Sequence, residues 1–110
     1  MLKIEDNNIF LTRGDSATIE ITIYQPDGVK PYVPATNDKI IFTVKNNVNN
    51  HEIALIKEFD SNLSISLIKN DTINLNFGKY YFDVRLENST EYDTILTEGT
   101  FYVERGTANE

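Results

Sequence analysis

Apolar and polar residues alternate with a period of two along much of the chain. In the segment 18–24 every second residue is isoleucine, and the residues between are threonine, glutamate and tyrosine. The same alternation recurs in 39–45, 63–67 and 79–87. This pattern predicts β-strands with one buried and one solvated face, as in antiparallel sheets. The residues predicted to face the core are Ile19, Ile21, Ile23, Ile40, Phe42, Val44, Leu63, Ile65, Leu67, Tyr80, Phe82, Val84 and Leu86.

Three further strands are predicted from less regular segments. Segment 8–12 is expected to form a short opening strand, and 52–59 a strand that packs on both sides. Segment 92–104 contains Gly99, which favours a bulge or kink within that strand. In 52–59, Ile53, Leu55 and Phe59 are predicted for one face, and Ala54 and Ile56 for the other.

Turn signals separate these strands at intervals of roughly 8–12 residues. Turns are predicted at 25–28, where proline, aspartate and glycine are consecutive, and at the polar segments 46–50 and 87–90. A short helical turn is predicted near 70–75, beginning with Asn70 as its N-cap. The predicted fold is therefore all-β, an immunoglobulin-like or fibronectin-like antiparallel two-sheet sandwich.

Length and composition restrict the possible functions. The 110 residues fit one domain over 1–110, with an ordered core of about 8–104 and a short tail at 105–110. The chain has no cysteine, which excludes disulfides and thiolate metal sites. The net charge is −7 and the basic residues are scattered singly, so nucleic acid is not an expected partner.

The N-terminal residues lack the apolar core of a signal peptide. No apolar run approaches the ~20 residues of a membrane span. We therefore expect a protein that is synthesised in the cytoplasm without a signal peptide, and no membrane partner.

Gly78, Tyr80 and Phe82 form the most informative local pattern. Their spacing resembles the tyrosine corner at the start of strand F in immunoglobulin-like sandwiches. In that corner the tyrosine hydroxyl forms a hydrogen bond with the backbone a few residues earlier in the chain. Phe82 then takes a core position that antibody domains give to a disulfide cysteine. The alternative is a tyrosine at a strand start with its hydroxyl in water, and either interpretation makes Tyr80 structural.

Candidate catalytic or ligand residues are few. The tripeptide Arg13-Gly14-Asp15 is interpreted as a tight turn between strands rather than an integrin-binding loop. His51, the single histidine, adjoins a polar hairpin tip and is expected to be solvated. Asp60, Asp71 and Asp93 lie at predicted turns, where aspartate caps backbone. We predict no catalytic residue, no metal site and no cofactor, and hence no enzyme.

Tyrosines on predicted solvated faces or loops are the remaining functional signal. Tyrosine combines an apolar ring with a polar tip, and it often contributes to protein–protein contacts. Ordinary cross-strand pairing explains the same residues equally well. The outward tyrosines are Tyr24, Tyr32, Tyr81, Tyr92 and Tyr102, of which Tyr24, Tyr81 and Tyr102 are the candidates for an interaction surface.

Segments 10–23 and 38–45, followed by 70–75 and 78–84, resemble in order and spacing a group of phage proteins. These are small β-sandwich structural proteins of tailed phages and prophages of low-GC Gram-positive bacteria, such as the N-terminal domain of phage baseplate upper proteins. The resemblance spans about 8–104 and rests on structural motifs. The sequence has no downstream coiled coil or receptor-binding region, so a baseplate-arm role and a freestanding accessory or adaptor role both stay open.

The resemblance implies a virion component of the tail or baseplate that docks onto other phage structural proteins, or onto itself as a homo-oligomer. The alternative is a β-sandwich that binds carbohydrate or a host cell surface, with Tyr24, Tyr81 or Tyr102 as stacking platforms. A small hydrolase that uses turn carboxylates is a remote third hypothesis, because it needs two carboxylates facing one cleft.

Overall fold

A computed structural model describes residues 2–24, 28–31, 38–46, 52–88 and 93–105. Within these ranges the chain forms eight strands and one short helix. In chain order the elements are β1 (Leu2–Glu5), β2 (Asn8–Thr12), β3 (Ala17–Glu20), β4 (Asp38–Lys45), β5 (Ile53–Glu58), β6 (Ser64–Leu67), α1 (Lys69–Thr72), β7 (Gly78–Asn88) and β8 (Asp93–Glu104). The predicted turns at 25–28, 46–50 and 87–90 lie mostly outside the described residues.

The strands form two sheets, which confirms the predicted all-β sandwich. One sheet has six strands in the order β1-β2-β8-β7-β4-β5, and the other consists of β3 and β6. The neighbours β8, β7, β4 and β5 follow the order of strands G, F, C and C′ in immunoglobulin domains, and β3 and β6 pair as strands B and E do.

One strand pair departs from the predicted antiparallel arrangement. β2 and β8 run parallel, with Asn8 opposite Thr100 and Thr12 opposite Glu104. Hairpin neighbours must be antiparallel, but these two strands come from opposite ends of the sequence and no tight turn joins them. Their relative direction is therefore set by packing rather than by local sequence.

The core lies between the sheets and contains most of the predicted inward residues. Phe42 is its centre, and its ring contacts those of Phe59, Phe82 and Phe101 at centroid distances of 6.4, 5.5 and 6.1 Å. Buried residues predicted from the alternation are Ile19, Ile40, Phe42, Val44, Ile65, Leu67, Tyr80, Phe82, Val84 and Leu86. Ile21, Ile23 and Leu63 are only partly buried, because β3 ends at Glu20 and β6 begins at Ser64.

β5 corrects the expectation of a strand packed on both sides. It is an edge strand, and Ile56 on its outward side is 54% exposed. The β4–β5 register shifts between Val44 and Lys45, which places Ile53 opposite Lys45. Ile53 therefore leaves the core face that it was predicted to share with Leu55, and it is 49% exposed.

An unpredicted strand, β1, forms a hairpin with β2. The two strands pair from Leu2 opposite Leu11 to Glu5 opposite Asn8, so the loop is only two residues long. Asp6 has a φ of 53°, a conformation that aspartate tolerates better than most residues and that two-residue hairpins require.

Gly99 has a different role from the one predicted. The bulge in β8 lies at Leu96, because the register passes from Val84 opposite Thr97 to Arg85 opposite Ile95. Gly99 itself pairs regularly with Phe82, and the β1–β2 loop packs directly on it. Its missing side chain allows a close backbone approach rather than a kink.

The Tyr80 corner is confirmed. The Tyr80 hydroxyl donates to the Asn76 carbonyl oxygen at 2.8 Å. The helix that precedes the corner covers Lys69–Thr72 rather than 70–75, and its N-cap is Ile68 rather than Asn70. Asp71 sets this start, since its carboxylate accepts the Ile68 backbone N–H at 2.8 Å.

Candidate functional site

The outward side of the six-stranded sheet, called the outer face below, carries the side chains that alternate with the core residues. Along β7 the core residues Tyr80, Phe82, Val84 and Leu86 are buried, and the residues between them point outward. Strand pairing places these outward residues in rows across the sheet. The outer-face residues discussed below are Lys3, Phe10, Ile41, Lys45, Ile53, Ile56, Lys79, Tyr81, Asp83, Arg85, Ile95, Glu98 and Tyr102.

An aromatic pair occupies one end of the outer face. Phe10 of β2 lies directly opposite Tyr102 of β8. Their rings are stacked, with centroids 4.8 Å apart and planes 6° apart. The Lys3 ammonium on β1 lies 6.0 Å from the Phe10 ring centroid. The pair forms an aromatic surface across β2 and β8, with Lys3 of β1 beside it.

Tyr81 extends this surface onto β7. Tyr102 is opposite Lys79, and Tyr81 is opposite Thr100, so the two tyrosines are diagonal neighbours within reach of one another. The Lys79 ammonium lies 5.3 Å from the Tyr81 ring centroid, at a cation–π distance. Both tyrosines are half-buried, so each presents part of its ring to solvent.

Exposed isoleucines lie elsewhere on the outer face, Ile53 and Ile56 on β5 and Ile95 on β8, and Lys45 lies between Tyr81 and Ile53. Ile53, Ile56 and Ile95 are each about half exposed, at 49, 54 and 49%. A shallow depression of about 250 Å³ lies on this part of the face, lined by Ile41, Ile53 and Ile56 together with polar residues. Exposed large aliphatic residues that share one sheet face are characteristic of interaction surfaces.

Charge is unevenly distributed over the outer face. Lys3, Lys79 and Lys45 surround the aromatic end. Farther along the sheet, Asp83 is directly opposite Glu98, a like-charge pair that disfavours the isolated sheet.

Tyr24 does not belong to this surface. It is 56% exposed, forms an isolated bridge with Pro31, and lines a cavity with Ile21, Val84 and Leu96 on the opposite side of the molecule's large sheet. Of the three predicted interaction tyrosines, the structure brings together only Tyr81 and Tyr102. Tyr32 and Tyr92 lie outside the described residues.

The Arg13-Gly14-Asp15 segment is a packed turn, as predicted. The Gly14 N–H donates to the hydroxyl of the fully buried Thr72 at 2.8 Å, which ties the turn to α1. The Arg13 guanidinium stacks on Phe77 at 4.1 Å, and Arg105 stacks on the same ring at 4.0 Å. Arg13 is therefore held in the fold and is not presented at a loop tip.

The turn carboxylates have structural partners. Asp60 accepts the backbone N–H groups of Asn62 and Ser64 at 2.8 and 3.1 Å. Asp71 accepts the Ile68 N–H and also pairs with Lys57 at 3.0 Å. Asp93 is the first residue of β8, and His51 lies outside the described residues. The described part of the chain contains no group of three potential metal-ligating side chains.

Phe10 and the outward isoleucines are site residues that the sequence did not single out. Phe10 lies in a short strand whose outward side gave no clear signal, and its stacking on Tyr102 depends on the parallel pairing of β2 with β8. Ile53 faces outward only because of the bulge near Lys45. Neither feature has a local sequence signature.

Comparison with known proteins assigns no relative. No family model matches the chain, and no curated protein matches it either. Within the described residues, no helix has the length and apolar character needed to cross a membrane.

Proposed function

We propose that this chain is a non-enzymatic structural module of a phage or prophage virion, which assembles into the tail or baseplate through protein–protein contacts. The observation that supports the contact function is the outer face, where the Phe10–Tyr102 stack adjoins Tyr81 and exposed isoleucines lie on the same side of the sheet. The virion assignment rests on the resemblance over about 8–104. The protein would be made in the bacterial cytoplasm and reside in the particle.

The composition of the outer face favours a protein partner. Interface centres are enriched in tyrosine and phenylalanine and depleted in charge, with polar residues around them. Here the Phe10–Tyr102 stack and Tyr81 form an aromatic cluster, and lysines of β1, β4 and β7 lie around it. Because the aromatic rings are already stacked, little side-chain entropy is lost when a partner covers them.

Carbohydrate binding is supported less well by the same geometry. A sugar ring stacks on the open face of an aromatic side chain. One face of Tyr102 is covered by Phe10, and Lys79 lies over Tyr81. The exposed isoleucines of the outer face also offer no hydrogen-bonding group to a sugar. A protein surface can use the rings and the isoleucines together.

Particle incorporation tests the proposal. Particles induced from a lysogen that encodes this chain would be purified on a density gradient, and their proteins would be identified by mass spectrometry. We expect the chain in intact particles, in a fixed ratio to other tail proteins. Its absence from intact particles would overturn the virion assignment.

Two lysine substitutions test the outer face. Ile56→Lys introduces a charge at its aliphatic part, and Ile68→Lys introduces the same charge at an equally exposed isoleucine beside α1. We expect incorporation to fall at least about tenfold for Ile56→Lys, because the partner must desolvate the charge, and to be unchanged for Ile68→Lys. Equal incorporation of both variants would show that the outer face is not the contact. Binding of host cell-wall glycan by the purified chain, lost in Tyr102→Ala, would favour the carbohydrate function instead.

A further inference from the structure

The two-stranded sheet has a free edge at β3. In the part of the chain that the structure describes, β3 pairs with β6 alone. Ile21, immediately after β3, donates its N–H to the Leu63 carbonyl at 3.0 Å. Successive residues of a strand direct their backbone groups to opposite sides, so those of Thr18 and Glu20 point away from β6. These groups form an edge ready to pair with another strand.

An apolar cavity opens beside this edge, between the two sheets. Its volume is about 150 Å³, and its lining includes Ile4, Ile19, Ile21 and Phe82. An apolar cavity of about this size can hold a benzene molecule, so it has room for one large apolar side chain. Ile4 at its mouth is 48% exposed, although it faces the interior side of the sheet.

A second cavity, of about 420 Å³, adjoins the first beside the residues that follow β3. It shares Ile21, Val84 and Thr97 with the first and adds Ile23 and Leu96. Together the two cavities form a groove that runs beside β3 and the residues that follow it. A free strand edge next to an apolar groove is the arrangement used for strand addition, in which side chains of the added strand enter pockets alternately.

On the other side of the sandwich, a contact joins the small sheet's end to the large sheet. There α1 follows β6, and the ion pair between Asp71 of α1 and Lys57 of β5 links this side to the large sheet at 3.0 Å. The five spacings between the six strands of the large sheet add up to about 24 Å at ~4.8 Å each, whereas β3 and β6 are separated by one such spacing. Immunoglobulin sandwiches place a strand beside B at the position that is open here.

We infer that the edge of β3 and the adjoining groove accept an extended segment of another protein, which adds to the small sheet as a strand. The alternate residues of that segment would be large and apolar and would enter the groove opposite Ile19 and Ile21. The residues between them would lie on the solvated side, next to Thr18 and Glu20. This site is separate from the outer face and does not depend on the function proposed for it.

Charge selects a basic segment and disfavours a second copy of this chain. Asp6 and Glu20 lie at the groove, and among the described residues neither cavity is lined by lysine or arginine. A lysine or arginine opposite Glu20 would form a favourable cross-strand pair. A second copy would bring another Glu20 to the edge, on a chain whose net charge is already −7.

A synthetic peptide tests the inference on the purified full-length chain. The probe is a fluorescently labelled peptide of about seven residues, Lys-Ile-Lys-Ile-Thr-Ile-Lys, and binding is followed by fluorescence anisotropy. A peptide of the same composition with its isoleucines adjacent controls for charge and for nonspecific hydrophobic binding. A second control peptide, with glutamate in place of lysine, tests the role of charge. We expect the alternating basic peptide to bind at least about tenfold more tightly than either control.

Proline substitutions locate the contact on the strand edge. Thr18→Pro removes an N–H that points to the free edge, a position where strands tolerate proline. Ser66→Pro is the matched control, because Ser66 is opposite Thr18 and its N–H points to the other edge of the same sheet. We expect Thr18→Pro to weaken peptide binding about tenfold and Ser66→Pro to leave it within twofold.

Amide hydrogen exchange, followed by NMR, tests strand pairing directly in the unmodified protein. In the free chain the Ile19 amide should be protected, and the Thr18 and Glu20 amides should exchange rapidly. The peptide should protect Thr18 and Glu20 selectively. Binding without this protection, equal binding of the shuffled peptide, or a pure-protein dimer that Thr18→Pro dissociates would each overturn the inference.

Discussion

The contact between Gly99 and the β1–β2 loop predicts a large effect from one added methyl group. An alanine Cβ at position 99 would lie 1.9 Å from the Asn7 carbonyl oxygen and 2.8 Å from the Asn7 Cβ. The first distance is far inside van der Waals contact, and the atom it meets is backbone. The neighbouring Thr100 N–H donates to the same Asn7 oxygen at 3.0 Å, so the loop cannot withdraw without losing that hydrogen bond.

The expected loss of stability has two parts, the steric clash with Asn7 and the loss of the hydrogen bond between Thr100 and Asn7. Overpacking in a well-packed site costs about 1–3 kcal/mol. Loss of the Thr100–Asn7 hydrogen bond adds about 1 kcal/mol. Gly99→Ala should therefore lower the free energy of unfolding by about 2–4 kcal/mol, out of the ~5–15 kcal/mol typical of a domain. At about 4 °C per kcal/mol, the melting temperature should fall by roughly 8–16 °C.

Urea unfolding followed by circular dichroism measures this change. Glu98→Ala is the control, because the adjacent outward position already carries a Cβ, and it should shift the free energy by no more than ~0.5 kcal/mol. If Gly99→Ala unfolds within ~0.5 kcal/mol of the parent chain, the β1–β2 loop does not pack on Gly99. The proposed reason for a glycine in the middle of β8 would then be wrong.

Two other hydrogen bonds give further predictions. Tyr80→Phe removes the hydroxyl that donates to the Asn76 carbonyl and should cost about 1 kcal/mol in urea unfolding, whereas the half-buried Tyr81→Phe should cost less than ~0.5 kcal/mol. Burial raises the pKa of Tyr80 above its ordinary value of about 10. The unfolded chain loses the Tyr80 hydroxyl proton at a lower pH than the folded chain does. The contribution of Tyr80 to stability should therefore be complete below pH ~10 and decline above it. The decline should be smaller in Tyr80→Phe. Thr72→Val leaves the Gly14 N–H without its acceptor and should cost about 1–3 kcal/mol, measured in the same way.

The outcomes that contradict these predictions are distinct. Equal destabilisation by Tyr80→Phe and Tyr81→Phe would mean that the corner hydrogen bond adds nothing specific. The parent chain and Tyr80→Phe should lose different amounts of stability between neutral pH and pH 9–11. An equal loss in both would contradict the raised pKa of Tyr80. A Thr72→Val variant as stable as the parent would show that the Gly14 turn is not held through α1.

The parts of the fold that are predictable from sequence are those set by neighbours along the chain. The alternation in 39–45 and 79–87 placed the core residues of β4 and β7 correctly, because a period of two assigns faces without knowledge of the partner strand. The corner at Tyr80 was predictable because its acceptor is only four residues upstream. The start of helix α1 was located to within one residue, but its end was placed three residues too late and its N-cap was misassigned.

The errors came from pairings between distant segments. The parallel β2–β8 pair and the β1–β2 hairpin determine what lies beside Gly99, and nothing near residue 99 records them. The register shift beside Lys45 moved Ile53 from the core face to the outer face, since one extra residue reverses the side to which a strand's side chains point. The same long-range pairings build the Phe10–Tyr102 stack, so the candidate site was less predictable than the core.

The rigidity of the outer face follows from the core beneath it. The immediate neighbours of the stacked rings along the chain are Ile9, Leu11, Phe101 and Val103, and all are at most 4% exposed. Phe10 and Tyr102 therefore cannot shift without displacing side chains that are fully packed. A partner would meet a surface whose backbone and rings are already in place, so more of the contact energy would appear as affinity. The edge of β3 differs in this respect, because its strand is four residues long and, among the described residues, pairs on one side only. A segment that adds there would gain backbone hydrogen bonds and would also stabilise the smaller sheet.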